Sequence, residues 1–121
     1  MTQRQQTTEA LLCGALGLCM RSGSAVTGSE LICTALHKKQ PMILVLLAAD
    51  ASEGTKKRVS DKCRFYGVPC HTLPLSASAL SDALGHSGLV AAVGITSYHP
   101  AHLVADKLGI PLPSQDAPKR S

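Results

Sequence analysis

The sequence predicts an α/β fold, a three-layer α/β/α sandwich with helices on both faces of a mixed sheet of about four strands. Three observations lead there. Met42–Ala49 (MILVLLAA) is an unbroken apolar run with no polar alternation, as suits a strand covered on both faces. Leu89–Ile95 (LVAAVGI) is a second run of the same kind. Between and around them, segments of helical periodicity alternate with strand-like ones along the whole chain, the pattern of a sheet sandwiched by helices. Parallel connections should then follow the right-handed crossover rule. No internal repeat is present.

The elements can be justified in order. Residues 1–7 are polar and expected to be flexible. From Thr8 to Met20, Leu12, Leu16, Cys19 and Met20 fall on one helical face, with Thr7 or Thr8 as cap and Gly23 just past the end. Gly14 and Gly17 lie inside this helix, where they allow close packing. Ser24–Thr27 reads as a short edge strand. Gly28-Ser29-Glu30 opens a second helix, in which Leu31, Ile32, Ala35 and Leu36 share a face. His37, Lys38 and Lys39 close it, beside the negative end of the helix dipole.

Pro41 ends the connection and the central strand begins. Asp50 breaks the apolar run, and Ser52 is placed to cap a third helix. Val59, Cys63 and Tyr66 form that helix's only apolar stripe, and Gly67 and Pro69 end it. Cys70–Leu75 is strand-like, with Pro74 confining regular pairing to its first half. Ser76 caps a short fourth helix that turns Leu80, Ala83 and Leu84 inward. The tight loop Gly85-His86-Ser87-Gly88 leads to the second apolar strand. A last helix spans about His99–Leu108, with Pro100 early enough that its missing N–H costs nothing. Residues 110–121, with Pro111, Pro113 and Pro118, read as a flexible basic tail. One domain therefore occupies residues 8–109.

Composition narrows the function classes. The chain has 121 residues, enough for one core without disulfides or metal, and a net charge of +4. That charge permits a nucleic-acid partner without demanding one. The aromatic side chains are Phe65, Tyr66 and Tyr98, with no Trp, so the core is aliphatic. Stacking platforms for single-stranded nucleic acid are not expected. Cys13, Cys19, Cys33, Cys63 and Cys70 form no CxxC pair and no zinc spacing. They read as small buried hydrophobes in a reducing cytoplasm, and no secretory signal is expected. No apolar run approaches the roughly 18 residues that would span a membrane.

The search for catalytic groups gives little. Neither GxxxxGK[ST] nor GxGxxG follows a strand. His99 and His102 are spaced as two ligands on a helix, but no third ligand accompanies them. Asp50, Ser52 and Glu53 stand at a strand's carboxyl end, where α/β proteins bind ligands, although helix capping explains them more simply. Cys70 and His71 are neighbours on a strand and point to opposite faces, which separates nucleophile from base. No metal, no cofactor and no enzymatic activity are expected. The basic groups Lys38-Lys39 and Lys56-Lys57-Arg58 flank the central strand. They make a phosphate-binding patch if they open on one edge, and a solvated surface otherwise.

The segment from LGLCMRSGSAVTGSE to LLAADASEGTKKRVSDKCRFYGVP resembles the bacterial YlxQ-like branch of the L-seven-Ae/L-thirty-e ribosomal protein family. The likeness covers about Leu11 to Leu108 and is most specific in LLAADASEGTKKRVSDKCRFYGVP. It implies the same sandwich, binding to RNA kink-turns or related internal loops, and association with ribosomal particles. By position it implies an RNA surface at Gly28, Ser29, Glu30, Leu31 and Thr34. Kink-turn binders read G-x-N-E-x-x-K there; this chain has Glu30 for Asn, Leu31 for Glu and Thr34 for Lys. The family's second RNA-contacting loop matches Gly85, His86, Ser87 and Gly88, which are short of its apolar and basic residues. Its acidic pair is reduced to Ala49-Asp50, while the basic pair Lys56 and Lys57 is kept, with Lys38 nearby. The expectation is a non-catalytic RNA-binding protein that relies on backbone charge more than base readout. The alternatives are a protein-interaction module on the same scaffold, or a stand-alone substrate-recognition domain like those of RNA methyltransferases.

Overall fold

The apolar run after Pro41 forms the middle of the sheet. In the computed structural model, which describes residues 2–112 with side chains from Glu9 onward, all four residues of strand β2 (Leu44–Leu47) are buried. Its neighbours are β4 (Ala92–Ile95), antiparallel to it, and β3 (Cys70–Thr72), parallel to it. The strand β1 (Ala25–Thr27) pairs antiparallel with β4, giving the mixed order β1-β4-β2-β3. The short strands β1 and β3 hold the edges, the position expected for β1.

Alternation along β2 sorts the core into two halves. Leu44, Leu46 and Ala48 pack with helices α1 (Thr2–Arg21), α4 (Ala77–Leu84) and α5 (Tyr98–Leu108), through Leu12, Leu16, Leu80, Leu84 and Val104. Val45 and Leu47 face helices α2 (Ser29–His37) and α3 (Glu53–Tyr66), meeting Ile32, Leu36, Val59 and Cys63. Each fully buried Leu or Val removes apolar surface from water worth about 1.5–3 kcal/mol. The expected three-layer sandwich is therefore present, with three helices on one face and two on the other. Gly94 lets the second layer close down, since a Cβ there would lie 2.5 Å from Met42 Sδ.

Several boundaries differ from the sequence reading. The helix α1 starts at Thr2, five residues before the expected capping threonines, because nothing in TQRQQTT breaks a helix. Of its two glycines, Gly17 is the close-packed one: a Cβ there would sit 3.2 Å from the Ala83 carbonyl oxygen of α4. Gly14 has nothing within 4 Å. Residues 113–121, most of the expected tail, lie outside the described residues. Cys19, Cys33 and Cys63 are buried while Cys13 and Cys70 are half-buried, and all five are free thiols. Burial pushes the Cys19 thiol up to about 11, so it stays neutral in the core.

The helix ends show one anomaly. The turns after α3, α4 and α5 are closed by Gly67, Gly85 and Gly109 in the left-handed conformation that glycine favours. The turn after α2 places Lys39 there instead, at φ 59, with Lys39 N–H donating to Leu36 O and Gln40 N–H to Ala35 O, both at 2.9 Å. A side chain in that conformation carries a steric cost that glycine avoids. Lys39→Gly should accordingly raise unfolding stability by about 1 kcal/mol in urea titration. No gain would mean that the turn is not strained by Lys39.

Candidate nucleic-acid interface

Topology brings the candidate site together. Because β4 runs antiparallel to β1 and β2, Thr27 lies opposite Val93 and Leu47 opposite Ala92. The end of β1, the end of β2 and the start of β4 thus meet at one rim of the sheet. From that rim Gly28 leads into α2 and Ser52 into α3, while Leu89–Ala91 arrives from α4. The residues Gly28, Glu30, Leu31, Thr55, Leu89 and Ala91 line a cleft of about 380 Å³ where these segments converge.

The start of α2 is built for polar contact. Gly28 adopts φ 95, ψ 142, a conformation essentially restricted to glycine, and its N–H donates to Ala92 O at 2.9 Å. This bond fixes the helix start against β4. The helices α3 and α4 have side-chain caps: Ser52 accepts from Thr55 N–H and Ser76 from Ala79 N–H, each at 3.1 Å. The helix α2, like α5, has no such cap. Its leading N–H groups are left for a partner that accepts hydrogen bonds, aided by the positive end of the helix dipole.

The opposite wall comes from residues the sequence reading assigned to a strand. Pairing begins only at Ala92, and Leu89 is 74% exposed. The preceding segment bonds elsewhere: the buried Ser81 hydroxyl accepts from Val90 N–H and donates to Ala77 O, both at 2.8 Å. Ala48 N–H donates to Ala91 O at 2.8 Å. The bond from Ala48 continues the β2–β4 register by one residue, whereas Ser81 takes the Val90 N–H out of the ladder, and Leu89 stands in water across from Leu31, itself 59% exposed. Two large apolar side chains therefore flank a cleft that also offers free N–H groups.

The expected site residues divide into those at the rim and those elsewhere. Ser29, Glu30 and Leu31 are at the cleft, and Thr34 is exposed one turn farther along α2. Lys56 Nζ donates to Ala49 O at 3.1 Å, closing the chain end of β2. Lys57 forms an exposed pair with Asp61 at 3.2 Å, a contact worth little in water. Asp50 has a structural task, since its Oδ1 accepts from Ala77 N–H at 2.7 Å and starts α4. His86 Nδ1 contacts Gly88 N at 3.1 Å, folding Gly85–Gly88 onto itself, and that loop does not line the cleft. The apolar wall is supplied by the three residues that follow it. Lys38 is not beside Lys56 and Lys57: it ends α2, about 15 Å along the axis from Gly28, so the single basic patch is split between two ends of the layer.

Sequence reasoning missed Thr55, Leu89, Val90, Ala91 and Ser81. The signal available for Leu89 was its place directly after the Ser87-Gly88 turn; nothing marked Ser81. Ser81→Ala would leave Val90 N–H buried without a partner, a loss of about 1–3 kcal/mol. The measurement is amide exchange at Val90 together with urea stability. Exchange unchanged from the parent protein would show that Ser81 does not hold the wall.

The comparisons with known proteins bear on the fold and the family. No family model matches the chain. A structure of a protein of unknown function from Bacillus halodurans C superposes with a TM-score of 0.73 at 28% identity, covering 81% of this chain and 96% of that one. The 15.5 kD RNA binding protein of Giardia lamblia superposes with a TM-score of 0.66 over 85% of this chain and 86% of that one; at 20% identity it establishes the fold alone. RNA-binding protein YlxQ of Enterococcus faecium is 41% identical over 70 residues, which are 58% of this chain and 66% of that protein. RNA-binding protein YlxQ of Bacillus subtilis (strain 168) is 43% identical over 75 residues, 62% of this chain and 73% of that protein. With this identity over nearly three quarters of a relative's length, and with the sandwich in place, the chain belongs to the YlxQ family.

Proposed function

We propose that the chain is a non-catalytic RNA-binding protein of the cytoplasm, holding a kink-turn or related internal loop of ribosomal RNA or a ribosomal particle. The observation that carries this is the rim cleft, where an uncapped helix start faces two exposed leucines beside a basic turn of α3. Relatives named RNA-binding proteins support it. In this reading an extruded base lies between Leu31 and Leu89. The leading N–H groups of α2 donate to base or phosphate oxygens, and Glu30 accepts from a base amino group. Lys56, Lys57 and Arg58 follow the backbone. The binding unit is the domain 8–109.

The exposure of Leu31 and Leu89 also fits a protein-interaction module, and one titration separates the two. With about three phosphates neutralised, log K should fall with log salt at a slope near −2 to −3. Lys56→Ala with Lys57→Ala should lower that slope by about 1–2 and weaken a kink-turn and a scrambled hairpin alike. Thr34→Lys should steepen it by about 1. Unchanged affinity and slope in the double variant would overturn the RNA site and leave the protein-interaction reading.

A further inference from the structure

The helices α2 and α3 run side by side in the same direction, so their ends define a second site. Their starts meet at the rim cleft through Leu31 and Thr55. Their C-terminal ends border a separate cleft of about 580 Å³. Its apolar lining is Leu36, Met42 and Val68, all buried. Phe65 and Tyr66 add two aromatic rings, and Lys39 and Arg64 add two positive charges. Gln40 contributes a neutral amide able both to donate and to accept.

Three features of this cleft lack a structural explanation. The chain's one phenylalanine, Phe65, is 80% exposed, with its ring fixed edge-to-face against Tyr66 at a centroid distance of 4.9 Å. The scarcity of aromatic residues led to the expectation of no stacking platform, yet this one is withheld from the core. Lys39 occupies the left-handed turn position that glycine fills after α3, α4 and α5, so its charge is kept at a backbone cost. Lastly, α3 carries Lys56, Lys57, Arg58, Lys62 and Arg64 against Glu53 and Asp61, a net +3 of the chain's +4. Asp61 does not neutralise this end, because its contact to Arg64 is 3.8 Å and the Arg64 side chain is 81% exposed.

We propose that this second cleft takes one unpaired nucleotide from a single-stranded flank of the RNA held at the rim. The base lies on the apolar lining against Phe65, and its phosphate sits between Lys39 and Arg64. The inference rests on the RNA reading above. Thr55 and Phe65 are about 15 Å apart along the helix axis, a span that a few nucleotides can cross, with Arg58 and Lys62 on the exposed surface between them. A basic path ending on an aromatic ring is the arrangement by which single strands are held without sequence readout. A protein partner would gain from Phe65 but has no use for a continuous line of positive charge unless it is itself polyanionic.

The test uses a blunt-ended kink-turn duplex and two derivatives carrying about six unpaired adenosines, one on the 5′ and one on the 3′ strand. Affinities are read by fluorescence anisotropy with the full chain. At least one flanked RNA should bind about 10-fold tighter than the blunt one. Phe65→Ala and Lys39→Gly should each remove most of that gain while changing blunt-RNA affinity less than about 2-fold. Because Lys39→Gly is expected to stabilise the fold, loss of the gain in that variant cannot come from unfolding. If neither flank adds affinity, or the gain survives in Phe65→Ala, the second site is refuted while the rim site stands. If the blunt RNA is not bound by the parent protein, the RNA reading fails and this inference falls with it.

Discussion

Burial of β2 on both faces is the constraint on which the rest depends. A strand whose four side chains are all covered by helices can present nothing of its own to a ligand. A ligand that reaches β2 must therefore meet it at the strand's ends, where the backbone leaves the sheet and the helices begin or stop. The antiparallel return of β4 places three such departures at one rim. The parallel course of α2 and α3 then gives the same layer a second, chemically different end. At the rim, free N–H groups sit between two exposed leucines. At the far end, an exposed aromatic ring sits between two cations.

This division accounts for how the site differs from a simple basic patch. A phosphate-binding surface needs only charge, and most of the charge here lies on α3. Selectivity needs fixed groups, and in the proposed reading the rim supplies them through backbone geometry: Gly28 anchored to Ala92, and Val90 turned off the ladder by Ser81. Several side chains that look functional from their type are occupied in keeping this geometry. Asp50 starts α4, Ser52 starts α3, and Lys56 closes the end of β2. Substituting Asp50 or Ser52 would disturb the scaffold and the contacts together.

Much of the fold was legible in the sequence because its signals are local. The apolar runs gave the central strands, Ser52 and Ser76 gave two helix starts, and Gly67 gave a helix end. Positions that depend on tertiary contacts were not legible. Leu89 continues an apolar run and reads as strand, yet a buried hydroxyl eight positions earlier in the chain takes the adjacent Val90 N–H. Lys38 and Lys56 both flank the central strand in sequence order, but the layer's direction puts them at opposite ends. The spacing of Val59, Cys63 and Tyr66 already leaves Phe65 off the buried stripe, but nothing in the sequence marked the cleft it borders. In each case the missing information was which way a neighbouring element ran.

The central claim is that RNA is received at the rim of the sheet where α2 and α3 begin. Backbone amide shifts of the isotopically labelled protein, followed by NMR while a blunt-ended kink-turn RNA is added, test it most directly. The account predicts the largest changes at Gly28–Leu31, Thr55 and Leu89–Ala91, with the α1, α4 and α5 layer little altered. Changes concentrated on α1 and α5, with the rim amides unmoved, would contradict it.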